Sequence, residues 1–298
     1  MGKILKTTVN GIEFSATHYE AKNFESGYSQ NTLLFCLPGG GASAEFFNLD
    51  PTYSFAQLMS KLGYDVITMD HPGTVINSLP TDHPFLKPRQ AADYLATVLD
   101  KLQTQADLNH ARAFGIGHSM GGMTTTLIQA RHKTFDGIAL LGSSAGGLEW
   151  GLSDEEKAYI DRPAAFARDL EKLTLAKFGQ AFTDIPNGPS GKSITFGGET
   201  PELTQRLREI SCELYAAGGM MSMIRGSFKA EVEAISVPMF FAFGDHDIGI
   251  PPEEAPKDFI NASSTELVIL ENTGHNHFAF KSIETLCEKL DYWASNLD

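Results

Sequence analysis

Apolar positions in this chain follow two rhythms that alternate along its length. Residues 3–9 and 12–18 flank Asn10-Gly11, and read as two strands of a hairpin closed by a two-residue turn. A polar stretch, residues 20–31, reads as loop. Thr32-Leu33-Leu34-Phe35-Cys36-Leu37 is an unbroken apolar run, the pattern of a strand covered on both faces, and it stops at Pro38-Gly39-Gly40-Gly41. Residues 55–62 predict a short helix, and Val66-Ile67-Thr68-Met69 the next strand, closed by Asp70-His71-Pro72-Gly73. Residues 89–102 predict an amphipathic helix with Leu95, Val98, Leu99 and Leu102 on its apolar stripe. Ala113-Phe114-Gly115-Ile116 is again strand-like. It breaks at Gly117-His118-Ser119-Met120-Gly121 and passes into helical spacing at Met123, Leu127 and Ile128. Residues 135–141 give a further strand.

This alternation then stops. Residues 148–233 hold helical stretches at 153–177 and 202–215, with Ser153 and Glu156 spaced as a capping box and Pro201-Glu202 suited to a first turn. No run of the buried-strand kind occurs there, and Pro186-Asn187-Gly188-Pro189-Ser190-Gly191 divides the segment. Gly218-Gly219-Met220-Met221-Ser222-Met223 reads as flexible and apolar, suited to lining a tolerant pocket or filling core gaps. Strand character returns at residues 238–243 and 266–270, and residues 282–293 predict a closing amphipathic helix. The fold class is therefore α/β: a doubly wound, mostly parallel sheet with helices on both faces and an inserted helical segment. Residues 1–147 and 234–298 form one catalytic domain, and 148–233 form an insertion. An insertion after a strand's carboxyl end stands over the place where such sheets bind ligands, so it is expected to act as a lid.

Composition narrows the class. A chain of 298 residues with 42% hydrophobic and 20% charged residues has the make-up of a soluble globular protein. A net charge of −14 opposes nucleic acid or an anionic membrane surface as partner. No apolar run approaches a membrane span, and the first residues lack the apolar core of a signal peptide. Cys36, Cys212 and Cys287 have no metal-ligand spacing and read as reduced thiols. A cytoplasmic location is expected. No cofactor is implied, and the oligomeric state is not encoded in any pattern found.

The chemistry is concentrated at Ser119. Strand, tight turn and helix place this hydroxyl at the turn's apex, where flanking glycines leave it uncrowded and the helix N-terminus faces it. Gly142-Ser143-Ser144-Ala145-Gly146 matches the same Gly-x-Ser-x-Gly pattern, but no helical stripe follows it, so Ser144 reads as part of a post-strand turn. A serine nucleophile needs a base, and the base an orienting carboxylate. His275 follows Gly274 directly after a strand and is the favoured base, with His277 second. Asp247 lies three residues past Gly244, placed to turn toward a neighbouring histidine. Asp245, which adjoins the strand end, is the second candidate for the carboxylate, its other reading being to cap the turn. The backbone N–H groups of Gly40 or Gly41, with that of Met120, would supply an oxyanion hole. A phosphate loop is the competing reading of the glycines, opposed by the lack of any Gly-x-x-x-x-Gly-Lys or Gly-x-Gly-x-x-Gly pattern.

PGGG at Pro38, DHPG at Asp70, GHSMG at Ser119, GDHDIGIP around Asp247 and NTGHNHF around His275 together resemble the α/β-hydrolase superfamily in its lid-bearing form, over essentially the whole chain. The resemblance implies Ser119 as nucleophile, Asp247 as acid, His275 as base, and Gly40 and Met120, with Gly41, as oxyanion donors. Many relatives have His-Gly where this chain has Pro38-Gly39, a departure that bears on the subfamily. Ser119 excludes haloalkane dehalogenase chemistry, which uses Asp at that position, and PGGGAS departs from the HGGPG of proline iminopeptidase-like enzymes. The expected activity is cofactor-independent hydrolysis of a carboxylic ester, lactone or thioester on a small molecule with an apolar portion. Carbon–carbon bond hydrolysis, amide hydrolysis and acyl transfer use the same triad, and a hydrolase-like receptor with little turnover is the alternative from another class.

Overall fold

The structure, a computed structural model, describes residues 2–22, 31–75, 77, 79, 85–105, 108, 112–183 and 199–297. Eight strands build the main sheet: β1 (Lys3–Val9), β2 (Ile12–Tyr19), β3 (Thr32–Leu37), β4 (Tyr64–Met69), β5 (Arg112–His118), β6 (Gly137–Leu141), β9 (Met239–His246) and β10 (Thr265–Gly274). Their order is β1-β2-β4-β3-β5-β6-β9-β10. β1 and β2 pair antiparallel about Asn10 and Gly11, both at positive φ, as the turn prediction requires. β2 meets β4 antiparallel, and every later pairing is parallel.

Why the central strands are apolar throughout is visible in their side chains. Leu33, Phe35 and Leu37 enter one core with Met239, Phe241 and Phe243. Leu34 and Cys36 enter the other with Phe114, Ile116, Phe240 and Ala242. Successive residues point to opposite faces, so a sheet covered on both sides needs both registers apolar. Helices α2 (Pro88–Gln105) and α3 (Met120–His132) cover the first face, and α1 (Phe55–Lys61) with α9 (Ile283–Ser295) the second. β6 starts later than the apolar run suggests. Phe135 precedes the strand and packs where a side chain on Gly115 would stand, 2.6 Å from a methyl there.

Between β6 and β9 lie helices α4 (Asp154–Lys157), α5 (Pro163–Phe178), α6 (Pro201–Glu209), α7 (Ala216–Met223) and α8 (Lys229–Glu233). The Ser153–Glu156 capping box forms as expected. Three expectations are corrected. Residues 153–177 are two helices, parted before Pro163. The helix predicted over 202–215 ends at Glu209, and Leu214–Tyr215 forms a strand, β8, antiparallel to β7 (Phe182–Thr183). The stretch read as flexible is α7, with Met220 and Met221 fully buried against the core. Pro186 to Gly191 lies outside the described residues.

Candidate active site

The bend at Ser119 is built from close backbone approach. Ser119 sits at φ 51° and ψ −121°, a conformation unfavourable for a side-chain-bearing residue by about 1–3 kcal/mol. Its N–H donates to the Leu141 carbonyl at 2.9 Å, and its own carbonyl accepts from Gly122 N–H at 2.9 Å, so both neighbouring elements hold the bend. The glycines are obligatory here. A methyl on Gly121 would lie 2.2 Å from the Leu37 carbonyl oxygen, and one on Gly117 would lie 2.4 Å from the Gly122 α-carbon. α3 therefore starts directly against the end of β3, where the Gly39–Gly41 loop begins.

Ser119, His275 and Asp247 come together in one hydrogen-bonded row. His275 Nε2 stands 3.0 Å from Ser119 Oγ, and His275 Nδ1 stands 2.6 Å from Asp247 Oδ1. The side chains of His275 and Asp247 are buried. Burial pushes the Asp247 carboxyl upward, but hydrogen bonds from His275 and His277 overcome this and hold it well below its ordinary range. The carboxylate is thus ionised, and Nδ1 of His275 carries the proton between them. That leaves Nε2 as an acceptor facing the serine hydroxyl.

The two alternative residues are placed elsewhere. Asp245 accepts the N–H groups of Asn272 and Thr273, each at 2.9 Å, and thereby fixes the irregular step in β10 between Leu270 and Gly274. That is the capping role, and it carries His275 into position. His277 turns away from this pairing: its Nε2 contacts the other carboxylate oxygen of Asp247, Oδ2, at 2.7 Å. Ser144 Oγ accepts the Gly146 N–H at 3.3 Å inside its own turn.

Several contributors carried no clear sequence signal. His118, the variable residue of the elbow, is buried and its Nε2–H donates to the His275 backbone carbonyl at 2.7 Å. Burial, then the neighbouring imidazoles of His275 and His277, push its pKa well down, so it stays neutral. His71, held neutral by burial with a pKa lowered to about 4, donates to the Pro38 carbonyl at 2.9 Å and anchors the glycine loop from beneath. The inserted segment grips the same loop from the other side. Ser43 N–H donates to Ile210 O at 2.9 Å, Cys212 N–H to Gly41 O at 3.0 Å, and Leu214 packs over Gly40. Among the described residues, the N–H groups of Gly40 and Met120 donate to no backbone carbonyl in the turns and loops around them. No cluster of His, Cys, Asp and Glu among the described residues has the arrangement of a metal site.

Comparison with known proteins agrees with this architecture. The esterase from Exiguobacterium antarcticum superposes with a TM-score of 0.65 at 18% identity, over 98% of this chain and 99% of that one. The monoacylglycerol lipase of Paleococcus ferrophilus gives 0.65 at 17% identity, over 93% and 96%. By sequence, the probable 1-alkyl-2-acetylglycerophosphocholine esterase of Arthroderma benhamiae is 30% identical over 149 residues, 45% of this chain. The match spans only 35% of that protein's length. The family model of the alpha/beta hydrolases matches residues 34–282, from the middle of β3 to the residue before α9. A match over most of the chain, on a sheet of this order, makes the protein a member of the alpha/beta hydrolase family.

Proposed function

We propose that the protein is a serine hydrolase of carboxylic esters, with lactones and thioesters as chemically adjacent substrates, working without a cofactor. The observation that carries this reading is the unbroken row Ser119 Oγ, His275 Nε2, His275 Nδ1, Asp247 Oδ1, at 3.0 and 2.6 Å. His275 takes the Ser119 proton as Oγ attacks the carbonyl carbon. Negative charge then develops on the carbonyl oxygen, and the N–H groups of Gly40 and Met120, with Gly41 beside them, donate to it. The protonated His275 passes its proton to the leaving alkoxide or thiolate, leaving an acyl group on Ser119. Water, deprotonated by His275, then attacks that ester and releases the acid. Asp247 keeps Nδ1 protonated throughout and stabilises the imidazolium.

Residues 148–233 act in this reading as a lid whose inner edge is fixed. Support comes from side chains next to the serine. Leu214 would meet a methyl on Gly40 at 2.6 Å, and the Met120 sulfur would meet one on Gly218 at 2.8 Å. Apolar groups from the insertion therefore lie against Gly40 and Met120, the residues that flank the serine, which suits a substrate with an apolar portion.

The test is a burst assay with p-nitrophenyl acetate, butyrate, octanoate and dodecanoate on wild type and Ser119→Ala. The expected result is an acyl-enzyme burst in wild type and a loss of turnover on the order of a millionfold in the variant. Turnover retained by Ser119→Ala removes the serine from the mechanism. Failure of both proteins on all four esters excludes simple esterase activity.

A further inference from the structure

Asp247 accepts two hydrogen bonds on each oxygen. Oδ1 takes His275 Nδ1–H at 2.6 Å and Ile248 N–H at 2.7 Å. Oδ2 takes Gly244 N–H at 3.2 Å and His277 Nε2–H at 2.7 Å. A triad carboxylate needs only one imidazole, and the second, at 2.7 Å, is within 0.1 Å of the first. The His277 side chain has no solvent exposure and belongs to the turn that follows His275, with its own N–H donating to the His275 carbonyl at 3.0 Å. Its Nδ1 is buried and has no hydrogen-bond partner. A proton on Nδ1 would be a buried donor with nothing to receive it, so the geometry favours the tautomer of His277 whose proton sits on Nε2, aimed at Asp247.

We infer that His277 is a positioning residue for catalysis: it acts through Asp247, holding the carboxylate's rotation and drawing charge toward Oδ2, and so sets the basicity of His275. This rests on the reading of Ser119, His275 and Asp247 as a working triad. The physical argument is one of charge division. A carboxylate whose negative charge is shared between two strong donors stabilises the His275 imidazolium less than one facing a single donor. The second imidazole therefore lowers the basicity of His275 while fixing the oxygen it needs. The titratable groups facing His275 are Asp247 from the loop after β9, His118 from β5, Ser119 at the elbow, and His277 from its own turn. His118 is kept neutral by burial, so the two remaining variables are Asp247 and the donor on its far oxygen.

The test uses His277→Leu, which has no donor, and His277→Gln, whose side-chain amide reaches the Nε2 position. The His275 pKa is read by NMR of the imidazole ring in the full-length Ser119→Ala protein, where no turnover is needed. The expected result is a rise of about half a unit to one unit with Leu and a return toward the parent value with Gln. In the Ser119-containing protein, Leu should lower kcat by about tenfold to a hundredfold with KM little changed, shift the acid limb of the pH profile upward, and be rescued by Gln. A His275 pKa that does not move with Leu, or that Gln fails to restore, overturns the inference and leaves His277 a packing residue. Failure of the triad itself would appear separately, as turnover retained by Ser119→Ala. If His277→Leu does not fold, an unchanged His275 pKa in His277→Gln plus displacement in His277→Asn, which cannot span to Oδ2, supports it. The same pKa in both variants overturns it.

Discussion

Gly142 lies against His275 so closely that even a methyl there would need the His275–Asp247 pair to give by a few tenths of an ångström. A methyl on Gly142 would stand 3.1 Å from His275 Nδ1 and 3.1 Å from Asp247 Oδ2, and the residue has φ +56°. The first glycine of the second Gly-x-Ser-x-Gly match therefore packs against the His275–Asp247 pair, whereas its serine bonds within its own turn. Gly142→Ala is expected to press on the His275–Asp247 pair and to strain the backbone at positive φ, which costs about 1–2 kcal/mol. Steady-state kinetics should show kcat lowered by about tenfold to a hundredfold with KM nearly constant. Wild-type kcat in the alanine variant would mean that the pair has slack the geometry does not suggest.

Ser144 gives the matching control. Among the described residues its hydroxyl receives the Gly146 N–H, at 3.3 Å, inside its own turn. Removing one weak turn bond alters stability by about 1 kcal/mol or less. Ser144→Ala should therefore hydrolyse the ester series within about threefold of wild type, under conditions where Ser119→Ala is silent. A loss comparable to that of Ser119→Ala would reverse the choice between the two serines.

The contrast between these two motifs shows what the amino-acid order could reveal. β3, β5 and β9 are legible because they are covered on both faces, which leaves a continuous apolar run such as Thr32–Leu37. The elbow is legible because strand, glycine turn and helix are adjacent in sequence. The partner of His277 is not, since it depends on Asp245 gripping residues 272 and 273 and swinging the turn beyond β10 toward Asp247. Residues 210–215 look helical by composition, yet their backbone is used to pair with the 41–43 loop and with Phe182–Thr183. Such pairings join distant segments and leave no local period. α7 was obscured by Gly218 and Gly219, which weaken intrinsic helix preference. Gly218 is needed there because the Met120 sulfur and the Tyr215 ring would each lie 2.8 Å from a methyl on it.

Asp70 supplies a pH prediction. Burial raises its pKa from 3.8 to about 6, outweighing the hydrogen bond it accepts from Ala44 N–H. The folded state therefore binds more protons than the unfolded one between these values, so this group's contribution to stability falls as pH rises from about 4 to 6 and stays low above. The shift is about 6 − 3.8, or roughly 2 units, worth about 3 kcal/mol at 1.4 kcal/mol per unit. Asp70→Asn keeps the acceptor for Ala44 and removes the charge. Thermal unfolding should place the variant several degrees above wild type at pH 7.5, with the two converging near pH 4. Equal stability at pH 7.5 would show that ionised Asp70 finds compensation in the folded protein.

Cys212 tests whether the insertion holds the glycine loop. Its N–H donates to the Gly41 carbonyl at 3.0 Å, beside the Ala42–Ser211 bridge. Proline at 212 deletes that donor, and the extended pairing of Ser211 suits a residue preceding proline. One backbone hydrogen bond contributes about 1 kcal/mol. If the loop's N–H groups must be pre-set to receive developing charge, most of that loss falls on the transition state, and kcat should drop by about fivefold to tenfold. Cys212→Ala keeps the N–H and removes only a thiol that burial has pushed up to about 12, so it separates backbone from side chain. The expected order in kcat is wild type close to Cys212→Ala, with Cys212→Pro lower and KM nearly shared. If Cys212→Pro keeps full kcat, the loop holds its shape without the bond from residue 212, and that bond to the inserted segment does not support it.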